Sequence, residues 1–495
     1  MNVGLRRKLP MRVTHLLVCA FLVIAPVSAD SPETPSVAND VRVVSALELA
    51  RTWLEAQRAY DQIPGVSAAI VVDQQVLWSG GFGQADLASG RAATADTIYS
   101  ICSISKLFTS VAVMQQRDAG RLRLDDPVTQ HLPWFTLKHA EGEGAVTIEG
   151  LLTHASGLPR ESDYPYWSAP DFAFPTHEQI VARVSQQNAL YTPETHFQYS
   201  NLGLTLAGEI VAATSGLPYG DYARTRILEP LGLTTTTPEM PENQRSGRLA
   251  TGYSALDRQA RRLPVPFFKA NGIAPAAGYA STVGDLGKFA SWQFRLLAGG
   301  GTELLKATTL REMQRVHWVE SDFETTWGLG FMVWRSDSKV FVGHGGSCPG
   351  YRTALLEMPE EKVATVFMAN ANGVDSGKWA QRLYDIVGPA IRAAIKEPGK
   401  GKATDAELRK YAGTYSQAPW GGEVAVLPWE EGLAMLELPT MEPVKELVKL
   451  KKTGEHTFRR IRKDESLGEE IVFEMGSDGR PTRFTHHSNY APRVR

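Results

Sequence analysis

The amino-acid sequence predicts an α/β (α+β) protein, in which an antiparallel sheet flanked by helices precedes a small all-β, barrel-like unit. Three observations support this prediction. Short β-rich runs occur at 66–78 and again at 329–369, the stretch 100–315 between them has a mainly helical pattern, and short strand-like segments follow a polar linker near residue 400. Strands separated by short polar turns favour an antiparallel meander over parallel crossovers. One sheet is therefore expected to take strands from both ends of a domain, with a mainly helical insert between them.

The individual elements follow from hydrophobic periodicity and turn residues. Leu47, Ala50 and Leu54 share one face of the first predicted helix, and Gly120 stops the helix that opens near Ser103. The predicted helices span 45–60, 103 to the stop at 120, and 377–395, and the predicted strands span 66–72, 76–78, 329–334, 339–342, 351–357, 363–369, 411–415, 423–427, 433–438, 458–462, 471–475 and 482–486. The sequence Ser-Gly-Leu-Pro occurs at 156–159 and 215–218, and each copy is predicted to cap a helix with its glycine.

Length and composition set the domain organisation. The chain has 495 residues, which favours two or three domains, and its 43% hydrophobic content argues against wholesale disorder. The predicted divisions are a signal peptide at 1–29, a main domain at 30–395, a polar linker at 396–406 and a barrel-like domain at 407–495. The net charge of -2 gives no indication of a nucleic-acid partner.

The N-terminus predicts export. A basic stretch through Arg12 precedes an apolar run at 16–25, and Val27-Ser28-Ala29 offers small residues before a cleavage point. The apolar run is shorter than the ~20 residues that span a bilayer, so no membrane anchor is expected. We therefore predict an exported protein of the periplasm or the extracellular space.

Three short motifs occur in order at wide spacing: Ser103-Ile104-Ser105-Lys106, Tyr199-Ser200-Asn201 and His344-Gly345-Gly346. A serine hydroxyl becomes a nucleophile only with a base in hydrogen-bonding reach. Lys106 is that base if burial lowers its pKa; alternatively it stays charged and holds Tyr199 as a phenolate that takes the proton. The backbone N–H groups of Ser103 and Ser347 are the candidate oxyanion donors. The spacing alone is not specific, because Ser336-Asp337-Ser338-Lys339 repeats it and is interpreted as a hairpin turn.

The two cysteines that follow the predicted signal peptide flank two of these motifs. Cys102 precedes Ser103, and Cys348 lies four residues beyond His344. If both motifs line one pocket, the two thiols are near neighbours, and an oxidising compartment favours a disulfide. The alternative is two small buried hydrophobic side chains.

Four segments together resemble the penicillin-recognising serine hydrolases, which include class C β-lactamases, D-alanyl-D-alanine carboxypeptidases, D-amino-acid peptidases and related esterases. They are the segments 99–106 (YSICSISK), 151–159 (LLTHASGLP), 199–203 (YSNLG) and 343–346 (GHGG), and the similarity covers roughly 40–390. The resemblance implies a β-lactamase/transpeptidase-like fold without metal or organic cofactor. It also implies that the C-terminal domain is lipocalin-like, and the disulfide is similar to one in certain class A carbapenemases.

The resemblance assigns roles to the motif residues. Ser103 would form an acyl-enzyme, Lys106 and Tyr199 would shuttle its proton, and Asn201 would bind the amide of the substrate. The strand containing His344, Gly345 and Gly346 would pair with the substrate backbone. His344 stands where β-lactamases have a lysine, so a titratable imidazole would replace a permanent cation facing the substrate carboxylate.

The expected activity is hydrolysis of peptides or related amides that contain a D-amino acid. The alternatives are a class C-like β-lactamase, a carboxylesterase, or, from another class, a non-hydrolytic β-lactam or peptidoglycan receptor. The expected partner is a small peptide, β-lactam or ester substrate, and the oligomeric state is open.

Three further features allow two interpretations each. His154 is interpreted as a structural histidine rather than a catalyst. Arg352 either binds a substrate carboxylate or is simply solvated on its strand. The aromatic segment 164–174 either forms a wall over the substrate or packs on itself as a loop.

Overall fold

The structure is a computed structural model that describes residues 1–4, 37–137, 144–336, 338–401 and 406–495. Most of the signal peptide predicted at 1–29 lies outside these ranges, and so do residues 402–405 of the linker predicted at 396–406. Both stay predictions. Within the described ranges, no helix combines the length and the apolar character that crossing a bilayer requires.

The described residues contain both helices and strands, as the predicted fold class requires. The helices are α1 (Val41–Tyr60), α2 (Ser105–Asp118), α3 (Val128–His131), α4 (Ile148–Thr153), α5 (His177–Val184), α6 (Asn201–Ser215), α7 (Tyr219–Ala223), α8 (Ala274–Ala277), α9 (Val283–Gly299), α10 (Ala307–Met313) and α11 (Ser376–Lys396). The strands are β1 (Gly65–Val72), β2 (Gln75–Asp86), β3 (Arg91–Ala92), β4 (Tyr99–Ser100), β5 (Ala280–Ser281), β6 (Thr302–Glu303), β7 (Leu305–Lys306), β8 (Trp318–Val319), β9 (Thr326–Trp327), β10 (Met332–Ser336), β11 (Lys339–Cys348), β12 (Tyr351–Met358), β13 (Val363–Ala369), β14 (Gly413–Ser416), β15 (Glu423–Trp429), β16 (Gly432–Leu438), β17 (Val448–Lys452), β18 (Thr457–Ile461), β19 (Leu467–Met475), β20 (Pro481–His486) and β21 (Asn489–Pro492).

The main sheet joins the two ends of the first unit, as predicted. Its nine strands have the order β3-β2-β1-β13-β12-β11-β10-β9-β8, and the central pairs are antiparallel. The helices between β4 and β10 pack on one face of this sheet, in a core that includes Phe108, Phe289 and Val366. Helices α1 and α11 cover the other face through Trp53 and Trp379. The site residues therefore lie where the helical insert meets the sheet.

The C-terminal strands form an eight-stranded meander, β14 to β21, that closes almost into a barrel through a bridge between Tyr415 and Arg493. The predicted fold class is thus confirmed in both parts. Aromatic side chains fill the barrel interior, among them Tyr411, Phe458 and Phe473. The lipocalin-like identity of this part stays a prediction.

The barrel packs against the helices on the back of the main sheet. Leu427 and Leu436 of the barrel join the same apolar cluster as α1 and α11. The indole N–H of Trp53 donates to the carbonyl of Thr440 over 2.8 Å. This contact surface lies on the face of the sheet opposite the helical insert.

Several predicted boundaries are wrong for local reasons. Strand β2 extends to Asp86 rather than ending at Trp78, because its glycines allow close approach of neighbouring backbone. The segment predicted as a strand from Tyr411 begins at Gly413, after a 3-10 helix at Ala406–Tyr411. Strands β17 and β21 were not predicted. Of the two Ser-Gly-Leu-Pro sequences, only the second caps a helix with its glycine, Gly216; the helix before the first ends at a left-handed His154.

Candidate active site

Ser103 lies in a tight turn ahead of helix α2. A 3-10 turn spans Cys102–Ile104, and the α-helix begins only at Ser105, two residues later than predicted. The backbone N–H of Tyr279 donates to the hydroxyl of Ser105 over 3.0 Å, which ties the turn to the segment before β5. The Ser103 side chain is half-buried, one turn from Lys106.

The side-chain nitrogen of Lys106 is surrounded by three oxygen atoms. Its Nζ lies 2.7 Å from Oδ1 of Asn201, 2.9 Å from the carbonyl oxygen of Ala276 and 3.3 Å from Oγ of Ser103. Lys106 is fully buried, and this burial lowers its pKa well below the usual value, while Glu161 opposes the shift. Such a lysine is poised to be neutral.

Tyr199 lies immediately before helix α6, whose N-cap Ser200 accepts from the N–H of Gly203 over 2.9 Å. Nζ of Lys106 is 4.8 Å from the centre of the Tyr199 ring, and the guanidinium of Arg160 is 4.9 Å from it. Loss of solvent around the ring raises the pKa of Tyr199 above its usual value, and a hydrogen bond with Ser103 opposes the rise. The structure thus favours a neutral phenol at this position.

Asn201 is the centre of a polar network that the sequence did not predict. Its Oδ1 accepts from Lys106, and its Nδ2 donates to Oε1 of Glu161 over 2.6 Å. The hydroxyl of Tyr166 donates to the other oxygen of Glu161, and Arg160 lies 3.2 Å from that carboxylate. The only sequence signal for Arg160 and Glu161 is that they directly follow the Leu-Pro at 158–159.

Strand β11 runs directly against the turn that carries Ser103. A Cβ at Gly346 would lie 2.3 Å from the carbonyl oxygen of Ile101, so only glycine allows this approach. A disulfide joins Cys102 to Cys348, with 5.7 Å between the Cα atoms. It links the residue before Ser103 to the residue after Ser347, so each oxyanion candidate lies next to one end of the bridge.

The resemblance predicts a titratable imidazole at His344 in place of a permanently charged lysine. The structure gives a different result. Its side chain is buried between the rings of Trp327 and Tyr199, with centres 5.6 and 6.3 Å away. Burial lowers the pKa of His344 to about 3. Nδ1 lies 2.6 Å from the carbonyl oxygen of Gly345. The structure therefore holds His344 as a neutral side chain.

The remaining sequence features are placed as follows. The guanidinium of Arg352 donates to the carbonyl groups of Cys348 and Tyr351, so it braces the β11–β12 turn. In the aromatic segment, Tyr166, Trp167 and Phe174 pack on one another with ring centres 5.0–5.5 Å apart, which favours the self-packed loop. Ser336 and Lys339 pair across the β10–β11 hairpin, as interpreted. The described residues contain no group of three or more His, Cys, Asp or Glu side chains arranged to hold a metal ion.

The fold and the group of Ser103, Lys106 and Tyr199 define the class of penicillin-recognising serine hydrolases. The Beta-lactamase family description matches residues 50–387, and the chain belongs to this family. The resemblance found in the sequence is thereby confirmed.

Several known proteins are similar to the chain. Penicillin-binding protein 4 of Amycolatopsis lactamdurans is 27% identical over 380 residues, which cover 73% of this chain and 96% of that protein. The octameric penicillin-binding protein homologue from Pyrococcus abyssi is 25% identical, with a TM-score of 0.60 and coverage of 90% of this chain and 98% of that one. A D-stereospecific amidohydrolase from Streptomyces sp. is 26% identical, with a TM-score of 0.56 and coverage of 72% and 99%.

Proposed function

We propose that the protein is an exported serine hydrolase that forms an acyl-enzyme at Ser103 and cleaves peptides or amides containing a D-amino acid. The observation that carries the proposal is the contact of a buried Lys106 with Ser103, 3.3 Å apart. A neutral lysine has two N–H donors and one lone pair. The donors match Asn201 and Ala276, which leaves the lone pair facing the hydroxyl of Ser103.

The arrangement supports a two-step acyl transfer. Lys106 takes the proton of Ser103 as Oγ attacks the substrate carbonyl, and the backbone N–H groups of Ser103 and Ser347 receive the developing oxyanion. The Tyr199 phenol gives its proton to the leaving amine and regains one from Lys106, which returns Lys106 to its neutral form. Water then attacks the ester at Ser103, and the same groups return the proton to Oγ. The raised pKa of Tyr199 favours Lys106, rather than a phenolate, as the base.

Two observations support the substrate class. The buried, neutral His344 leaves the substrate-facing strand without the permanent cation that β-lactamases place there. The similarity to the D-stereospecific amidohydrolase spans 72% of this chain. The N-terminal sequence and the disulfide support export. In this proposal the reaction belongs to the domain at 30–395, and the barrel at 407–495 is an appended domain.

The test compares turnover of a D-alanine amide, its L-enantiomer, a chromogenic cephalosporin and p-nitrophenyl acetate. We expect preference for the D-amide and loss of all turnover in Ser103→Ala. Ser336→Ala is the matched control, because Ser336 stands three residues before Lys339 in the same spacing, at a hairpin. Full turnover by Ser103→Ala would overturn the proposal. A preference for the cephalosporin or the ester would support those activities instead, and a stable penicillin adduct without turnover would support the receptor.

A further inference from the structure

His154 contacts Tyr199 and the residues on either side of it. The backbone N–H of Gln198 donates to the carbonyl of His154 over 2.7 Å, and the N–H of Ser200 donates to its Nδ1 over 3.1 Å. These two bonds hold the residues on either side of Tyr199. The imidazole also lies against the phenol ring, with centres 4.3 Å apart. One residue thus fixes the backbone and the ring of the same tyrosine.

The backbone of His154 adopts a conformation that allows these contacts. His154 is the C-cap of helix α4 with φ of 61°, in the left-handed region that few residues other than glycine and asparagine adopt readily. Its own N–H donates back to the carbonyl of Gly150. The side chain is 1% exposed, so solvent does not supply these interactions.

We propose that His154 is the positioning residue of the catalytic phenol, which it holds in place through the acceptor at Nδ1 and the face of its ring. The inference rests on the proposed function and adds to it a residue that touches neither the nucleophile nor the substrate. Without these contacts of His154, the loop before helix α6 has no side-chain acceptor for the N–H of Ser200. The phenol hydroxyl then loses its fixed distance to Ser103 and Lys106.

The contacts also fix the protonation of the ring. Because Nδ1 accepts a hydrogen bond, the single ring proton lies on Nε2. A second proton would have to lie on Nδ1, against the N–H of Ser200. Burial lowers the pKa of His154 well below its usual value, and the charge of Arg160 shifts it in the same direction.

Nε2 of His154 has a characteristic environment. It is buried and has no hydrogen-bond partner among the described residues, like Nε1 of the neighbouring Trp327. The centres of these two rings are 4.9 Å apart. Since His154 has no acidic partner there, nothing in this environment stabilises an imidazolium. The contacts of His154 with Ser200 and Tyr199 therefore require a neutral imidazole.

A pair of amide substitutions tests the proposal. In His154→Asn the amide oxygen takes the place of Nδ1, and asparagine accepts the left-handed backbone. In His154→Gln the oxygen falls near the place of Nε2, so the acceptor for Ser200 is lost. We expect His154→Asn to retain most of kcat/KM for the D-alanine amide, whose leaving amine needs a proton, and His154→Gln to lose about tenfold to a hundredfold, the size of loss that a misplaced catalytic group causes.

The same substitutions in a Tyr199→Phe background separate positioning from a general structural role. If His154 acts through the phenol hydroxyl, His154→Gln should change the residual rate of Tyr199→Phe by less than about twofold. Equal losses in both backgrounds, or equal losses for Asn and Gln, would overturn the assignment. If a variant does not fold, the wild type decides: histidine-selective 15N spectra should show the Nε2–H tautomer of His154 from pH 5 to 8, and the Nδ1–H form or the imidazolium would overturn it.

The outcomes distinguish the two proposals. If wild-type protein and Ser103→Ala turn over the D-alanine amide equally, the proposed function fails. If only the wild type is active but His154→Asn and His154→Gln behave alike, the function stands and the assignment of His154 fails.

Discussion

The charge state of His344 gives a prediction whose size follows from the structure. The pKa of His344 is about 3 in the folded protein and near 6.5 in an unfolded chain. Between these values the unfolded chain binds a proton that the folded protein does not bind. The stability that depends on a neutral His344 is therefore complete above pH 6.5 and is lost as the pH falls toward 3.

His344→Asn removes the titrating group and keeps a polar side chain. Since one pKa unit corresponds to about 1.4 kcal/mol, the proton costs the wild type about 3 kcal/mol between pH 7.5 and pH 4.5. The variant lacks this titrating group and therefore this loss of stability. His154 contributes equally to the pH dependence of both proteins. The wild type should thus lose about 3 kcal/mol more of its free energy of unfolding than the variant over this interval.

Urea unfolding of both proteins at the two pH values measures this difference. His196→Asn is the matched control, because that histidine is exposed to solvent, and it should show no comparable change. An identical pH dependence for the wild type and His344→Asn would refute a buried, neutral His344. It would also remove one of the two supports for the proposed substrate class.

Three further predictions concern the site and the core. Replacing Cys102 and Cys348 together by alanine should lower the acylation rate by about tenfold or more, because the disulfide holds the residues beside both oxyanion donors; stopped-flow rates equal to the wild type would contradict this role. Glu161→Gln should slow acylation by about tenfold, since Asn201 loses the charged acceptor 2.6 Å away and with it a fixed orientation toward Lys106; an unchanged kcat with raised KM would instead indicate substrate contact. Burial raises the pKa of Glu357 to about 8 from 4.5, so the stability is complete below pH 4.5 and falls as the pH rises to 8. Glu357→Gln should consequently gain about 5 kcal/mol relative to the wild type between pH 4 and pH 9, and a pH-independent difference would show that the carboxyl is not buried in its neutral form.

The sequence predicted the elements whose residues form unbroken apolar runs. The strand predicted at 363–369 matches β13, because its residues are buried on both faces and are mostly β-branched or apolar. Strand β17 was missed, since four of its five residues, Val448, Lys449, Lys451 and Lys452, point to solvent at least in part and three of them are lysines. Strand β2 was predicted too short because glycine carries little strand signal.

The contacts of the site also fall into those that the sequence predicts and those that it does not. Ser103 and Lys106 are three residues apart, so helical geometry alone brings them together. The partnership of Glu161 with Asn201 spans 40 residues and depends on how two loops fold. The protonation of His344 depends on the rings that bury it, which lie on strand β9 and in the loop before helix α6. Local chemistry could be predicted from the sequence, whereas contacts between distant segments and the pKa values they set could not.

The most direct test of the proposed chemistry is to locate the covalent bond that the reaction forms. Wild-type protein is treated with a fluorophosphonate probe, digested and analysed by peptide mass spectrometry, with Lys106→Met, in which the base is absent, treated in parallel. We expect the probe on Ser103 in the wild type and at least a hundredfold slower labelling without the lysine. A probe attached to another residue, or equal labelling of both proteins, would contradict a lysine-activated serine at this position.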